Sequence, residues 1–190
     1  SVRQLKSLMI TRLSMLTNAS QDNFDRIEKS YLATWCRLHP EAALDAGIDD
    51  YASQLGAHDD ETIGIQIVLN EKCLAALDEI TITELDAERQ INYQVLYSQA
   101  NLEHHVLMEH DWRHRDPTQF LPIHALDQLT LRPVSNFQEA LKSRLLAIPH
   151  HLRDAKQYLA SAPAIIPKVW LDMALAETDA GIGYCHHMHR

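Results

Sequence analysis

The residues best equipped for chemistry in this 190-residue sequence are His110-Asp111-Trp112-Arg113-His114. Histidines four apart share one face of a helix and can share a metal ion, and Asp111 stands where the HExxH zinc motif places its glutamate. At about 100° per residue, His110 and His114 fall near Gln99 and Glu103. A polar strip of Gln99, Glu103, His110 and His114 would then run beside an apolar stripe of Val95, Leu102 and Val106. Glu103, His110 and His114 are the candidate metal ligands. Against them, aspartate is shorter than glutamate and would hold a base farther from a metal-bound water. The simpler reading, which we prefer, puts both histidines at a helix C-terminus, where the dipole favours cations.

Other clusters carry less. Cys185-His186-His187-Met188-His189 offers soft and imidazole ligands for zinc, nickel or copper. It lies in the last six residues, however, where fraying is the default. His104-His105 and His150-His151 are adjacent pairs, which point about 100° apart on a helix and make no bidentate site alone. Asp49-Asp50 and Asp59-Asp60 flank a glycine-containing loop without the alternating pattern of an EF-hand, so capping by Asp59 or Asp60 is favoured. Trp35, Trp112 and Trp170 read as packing residues. GIDDYASQLG has neither the spacing nor the Lys-Ser/Thr of a phosphate loop, and no nucleophile elbow occurs. No catalytic or cofactor-binding residue is assigned.

Such side chains need a scaffold, and the totals describe one. Apolar residues make up 46% and charged residues 23%, which excludes a disordered or fibrous chain. One helical domain, residues 1–190, is expected. Seventeen basic against 26 acidic side chains give a formal charge of −9, with no basic cluster, so nucleic acid and anionic membranes are poor partners. Cys36, Cys73 and Cys185 are odd in number and never in a CxxC pair, which points to buried, reduced thiols and mildly to the cytoplasm. An exported or lipid-anchored form stays open. Ser1–Leu16 reads as an amphipathic helix, because Arg12 interrupts any signal-peptide core, and no 18-residue apolar span occurs.

The periodicity predicts seven or eight helices and no strand of convincing length, an all-α irregular bundle. Val2, Leu5, Leu8, Met9, Leu13 and Leu16 form a first stripe, ended by TNASQD, where Ser20 and Asp22 can cap a second helix from about Asn23 to Leu38. Its stripe is Phe24, Ile27, Tyr31, Leu32, Trp35 and Leu38. Pro40 turns the chain and restarts it as a short helix that Gly47 closes. Residues 47–58 form a loop. A third helix to about Ile80 turns Ile63, Ile67, Leu74 and Leu77 inward. A fourth opens at a Thr83/Asp86 capping box and continues to about Arg115. Pro117 starts a short helix to about Leu129, and Ser135 with Gln138 caps a helix carrying Phe137, Leu141, Leu145 and Ile148 that Pro149 breaks or kinks. The last helix runs from Lys168 with Trp170, Met173 and Ala174 inward. Pro163 and Pro167 make the turn before it.

Several of these residues together resemble one family. Phe24, Tyr31-Leu32, Trp35, Arg37-Leu38, Pro40-Glu41-Ala42, Gly47-Ile48, Asp50-Tyr51 and Leu55 are similar to the opening motif of the bacterial "domain of unknown function 885" family. Asp116-Pro117 with Phe120-Leu121 resembles its DPxxY/F segment. Arg144-Leu145, Ile148-Pro149, Leu152, Ala155 and Pro163 resemble its RLxxIPxxLxxA stretch. The similarity spans about Asp22 to Gly183. The resemblance implies a larger, mainly helical protein of which this chain is the amino-terminal part, with both ends reading as cuts. It also implies a zinc-dependent peptidase whose HExxPGHxxQ motif lies in the carboxy-terminal half, two histidines holding zinc and the glutamate activating its water. That motif is absent here.

The sequence therefore leads to a helical scaffold and substrate-cleft portion of a peptidase-like hydrolase, inactive alone, whose partners are the catalytic portion and a peptide substrate. The loop 47–58 and the Asp116-Pro117 corner, the polar breaks between long helices, are the expected cleft-facing elements. Two alternatives differ in class: a stand-alone, non-catalytic interaction module, and a helical domain with a small metal site at Glu103, His110 and His114.

Overall fold

The computed structural model describes the backbone of residues 2–161 and 165–188, and side chains of residues 18–161, 165–184 and 186. Among these the chain is all-α. Its helices are α1 (Val2–Leu38), α2 (Pro40–Asp45), α3 (Asp60–Asp78), α4 (Ala87–Glu109), α5 (Ile123–Leu131), α6 (Phe137–Ser161) and α7 (Lys168–Met188). Short 3-10 turns occur at Ile82–Glu84, Trp112–His114 and Pro117–Phe120. The contacts cluster into two compact units, one of Ser1–Trp35 with Ile65–Met108 and the other of Cys36–Gly64 with Glu109–Arg190.

In the first unit the two helices expected before Pro40 are one. TNASQD holds residues of weak helix propensity but neither proline nor glycine, so nothing compels a stop. Ser20, expected as a cap, donates its hydroxyl to Glu84 instead. The stripe from Val2 to Leu16 lies outside the described side chains. Farther on, Phe24 and Tyr31 are buried as the spacing predicts, whereas Leu32 is 45% exposed. They join Cys73, Leu77 and Ile80 of the α3 segment with Leu85, Tyr93, Leu96 and Ala100 in one core. Each fully buried large side chain contributes roughly 1.5–3 kcal/mol.

The inward line of α3 also differs from the apolar one. Gln66, Asn70, Cys73 and Leu77 are buried at alternating spacings of four and three, while Ile67 and Leu74 flank them half-buried. Asn70 is tolerated because its amide is used on both sides. Tyr31 Oη donates to Asn70 Oδ1 at 2.8 Å, and Asn70 Nδ2 donates to Glu103 Oε2 at 3.3 Å. Helix α4 starts on Asp86 alone, whose Oδ1 accepts from Arg89 N at 2.9 Å, and Thr83 lies in the preceding 3-10 turn rather than in a capping box. Val95 and Leu102, expected as its apolar stripe, are more than half exposed; Tyr93, Leu96 and Ala100 face inward instead.

In the second unit the punctuation reads as expected around α2. Pro40 occupies its first turn, and Gly47, at φ +87°, closes it. Gly47 N donates to Leu44 O and Ile48 N to Ala43 O, both at 2.9 Å, the paired bonds of a glycine-terminated helix. Residues 47–59 then run without a helix. Asp59, not Asp60, caps α3, accepting from Thr62 N at 2.9 Å.

Later boundaries shift. Pro117 opens a 3-10 turn rather than an α-helix, with Asp116 Oδ1 accepting from Thr118 N at 3.0 Å, and α5 begins only at Ile123. Asn136 rather than Ser135 accepts from Glu139 at the start of α6, because Ser135 gives both its N–H and its hydroxyl to Asp49. That helix continues through Pro149 without ending. Arg144 on its inward face is fully buried; it donates to Ala125 O and, at 2.7 Å, to Gln128 Oε1. Its Nε and Nη2 have no protein partner. Burial pushes its pKa down, against the pull of Glu41 and Asp45.

Helix α7 packs through small residues. Ala174 and Gly181 are buried, but Trp170 and Met173, expected inward, are 36% and 49% exposed. A Cβ at Gly181 would lie 2.5 Å from Ile123 Cδ1 and 2.6 Å from its Cγ1. The close approach of α7 to α5 therefore depends on the missing side chain. Gly181→Ala is expected to lower stability by about 1–2 kcal/mol despite alanine's better helix propensity. Denaturant unfolding checks this, and an unchanged or raised midpoint would contradict the contact.

Candidate functional site

The three candidate metal ligands come to different surroundings. Helix α4 ends at Glu109, so the helical turn meant to align His110 with His114 does not form. Asp111 is the reason. Its Oδ1 accepts from Arg113 N at 3.1 Å and starts a new 3-10 turn, a local competition with the helix that aspartate commonly wins. Glu103 belongs to the first unit, where its Oε2 accepts from Trp35 Nε1 at 3.1 Å and from Asn70, with Tyr31 Oη 3.4 Å away. Burial, reinforced by Glu103, holds the Tyr31 hydroxyl well above its ordinary pKa.

His114, in the second unit, instead places Nδ1 2.9 Å from Ser161 Oγ and 3.1 Å from Tyr158 O. Among the described residues no group of three His, Cys, Asp or Glu side chains is placed to hold a metal ion. The tail cluster lies almost wholly outside the described side chains.

What the second unit does assemble is built on Arg113, a residue passed over in the sequence as part of a histidine pattern. Its side chain is 7% exposed and makes four hydrogen bonds. Nε and Nη2 donate to the two oxygens of Asp111 at 2.9 and 2.7 Å, and Nη1 donates to Asp60 Oδ1 at 2.7 Å and to His58 O at 3.1 Å. The guanidinium carbon also sits 4.5 Å from the centroid of the Tyr158 ring. One cation thereby fixes the end of the 47–59 loop, the start of α3 and the last turn of α6.

His58 follows from that anchoring. Its ring stands edge-on to Trp112, His151 and Phe120, with centroids 4.9, 5.4 and 5.8 Å away. It lines a cleft of about 180 Å³ with Leu55 and Gly56 of the same loop, Phe120, and Ala147, His150, His151 and Asp154 of α6. Gly56 is tied back, its N–H donating to Glu41 Oε1 at 2.8 Å. The adjacent histidines do diverge. His151 Nε2 donates to Phe120 O at 2.8 Å, while His150 Nδ1 turns to Asp154 Oδ2 at 3.1 Å.

Burial, then the charges of His151, His39 and Arg113, push the His58 imidazole down to about 4, against the opposing pull of Asp59. At neutral pH it is uncharged. With His151 committed as a donor through Nε2, the cleft offers imidazole acceptors over an aromatic floor. Its polar lining consists of imidazoles and the carboxylates of Asp59 and Asp154, groups that can bind and orient a polar ligand. Of the two elements expected to face a cleft, the 47–58 loop lines this one through Leu55–His58, whereas Asp116 and Pro117 do not; Phe120 comes from the turn that follows them. His58 and Arg144 carried fainter signals in the sequence: one immediately precedes the Asp59 cap, and the other stands four residues after Ala140 on the inward stripe of α6.

The chain matches no family model, no curated protein and no solved structure in comparisons with known proteins.

Two outcomes check this construction. Because the folded pKa of His58 lies below its ordinary 6.5, the folded state resists a proton that the unfolded chain accepts. Its contribution is complete above pH 6.5 and is lost as the pH falls toward 4; NMR should find the His58 ring untitrated between pH 8 and 5, and His58→Phe should flatten the fall of Tm in that window. Arg113→Ala should cost about 2–3 kcal/mol, since it strands several acceptors but two of its partners are partly solvated. Urea unfolding measures it, and a cost under roughly 0.5 kcal/mol would place the anchoring elsewhere.

Proposed function

We propose that this chain is the helical scaffold of a larger peptidase-like hydrolase of the zinc-dependent class, and that the second unit forms part of the wall of its substrate cleft. The supporting observation is a convergence. Leu55 and Phe120, from two stretches that carry the family resemblance, line the His58 cleft together with Ala147, His150, His151 and Asp154, which lie between the resembling positions of α6. Lining by an aromatic ring and hydrogen-bonding imidazoles suits a peptide, which presents both apolar side chains and backbone N–H groups.

On this reading the chain supplies position and shape. His58 is held neutral to accept a hydrogen bond, His151 is held by the Phe120 carbonyl, and Arg113 keeps both the loop and α6 in register. Metal and water activation belong to residues outside these 190, and no step is assigned to this chain.

The test begins with the natural polypeptide. It is expected to continue past residue 190 into an HExxPGHxxQ stretch and to show chelator-sensitive peptidase activity that the 190-residue chain lacks. In that longer protein, His58→Ala or Phe120→Ala should raise KM about tenfold with a smaller change in kcat, as expected when binding contacts are removed away from the bond being cleaved. A natural product ending at Arg190, or a continuation without the motif, would overturn the proposal.

A further inference from the structure

Phe120 also borders a second concavity, which does not depend on the peptidase reading. The turn Pro117–Phe120 packs against both α6 and α7. Between them lies a groove of about 460 Å³, within the range of small-molecule sites. Its α6 wall runs from Leu152 to Leu159 and its α7 wall from Leu171 to Thr178, each about 10 Å long at the helical rise, with Phe120 in its floor.

The lining is apolar apart from two residues. Thr178 spends its hydroxyl on Ala174 O at 2.7 Å. Lys156 is the other, a cation with no ion-pair partner among the described residues. The nearby Asp172 is already paired with Lys168 at 2.6 Å. Meanwhile Leu152, Leu171 and Leu175 are 42%, 44% and 58% exposed around the groove.

We infer that this groove binds a free medium-chain fatty acid, its alkyl chain lying between α6 and α7 and its carboxylate on Lys156. The lining is apolar with a single positive charge, which matches an apolar chain ending in one negative charge. A partner helix is disfavoured by size, being about 10 Å across with its side chains and needing a far larger surface. The acidic balance of the whole chain would repel anions, so attraction has to come from this one local cation and the apolar walls.

Calorimetry and methyl NMR with sodium decanoate below its aggregation concentration test the inference. Saturable binding of one molecule per chain is expected, with shifts at Leu152, Leu159, Leu171 and Leu175. Lys156→Glu should weaken it about tenfold, and decanol, with the same chain and no charge, should bind about tenfold more weakly. Leu175→Gln should weaken both ligands alike. Lys156 and Leu175 are exposed, and unchanged circular dichroism verifies that the variants fold. No saturable binding, or binding indifferent to Lys156 and to the head group, overturns the inference. So does a concentration-dependent dimer abolished by Leu175→Gln, which would make a second copy the occupant.

Discussion

The second unit depends on how the Arg113 cation is held. Arg113 is almost entirely removed from water, and, unlike the still more deeply buried Arg144, it has carboxylates to offset its charge and most of its donors satisfied. Asp111, two residues away, takes two of them and in doing so ends the helical path that would have continued from α4. Asp60 and the His58 carbonyl take two more, which ties a glycine-bearing loop to the first residue of α3. Tyr158 then covers the face of the guanidinium. The cleft at His58 is a consequence of this arrangement, because the loop that presents the imidazole is held at its carbonyl.

The first unit orders its interior through one carboxylate and neutral donors. Asn70 sits fully buried at a core position of α3, and its amide joins Tyr31 to the Glu103 carboxylate, which also receives the Trp35 indole. Such a network specifies which faces of α1, α3 and α4 meet more sharply than apolar contacts can. The hydrophobic cluster of Phe24, Leu77, Tyr93 and Leu96 supplies the bulk of the burial around it.

Much of this was legible in the sequence where backbone chemistry is decisive. Pro40, Gly47 and Asp59 mark boundaries because a missing donor, a positive φ and a short carboxylate each have few alternatives. Ser20, Thr83, Ser135 and Asp111 were harder, since their side chains choose between local backbone and distant partners that no local pattern reveals. The stripes failed for a related reason. Gln66, Asn70 and Arg144 occupy core positions by virtue of partners 16 to 39 residues away or of burial itself, so hydrophobic periodicity passed over them. The expected pairing of His110 with His114 assumed a helix that Asp111 ends, whereas the histidines that do share a cleft, His58 and His151, lie 93 positions apart.

Each unit is built from two separated stretches, and this sets an order on biosynthesis. The first unit has all its residues once the ribosome has passed Met108, so it can close early. Residues 36–64 cannot: Arg113, Gln128 and Ser135, which hold them, are synthesised later. During that interval the buried Leu44, Ala52 and the apolar lining of the His58 loop are without their cover, which makes this span the part of the nascent chain with most reason to need a chaperone.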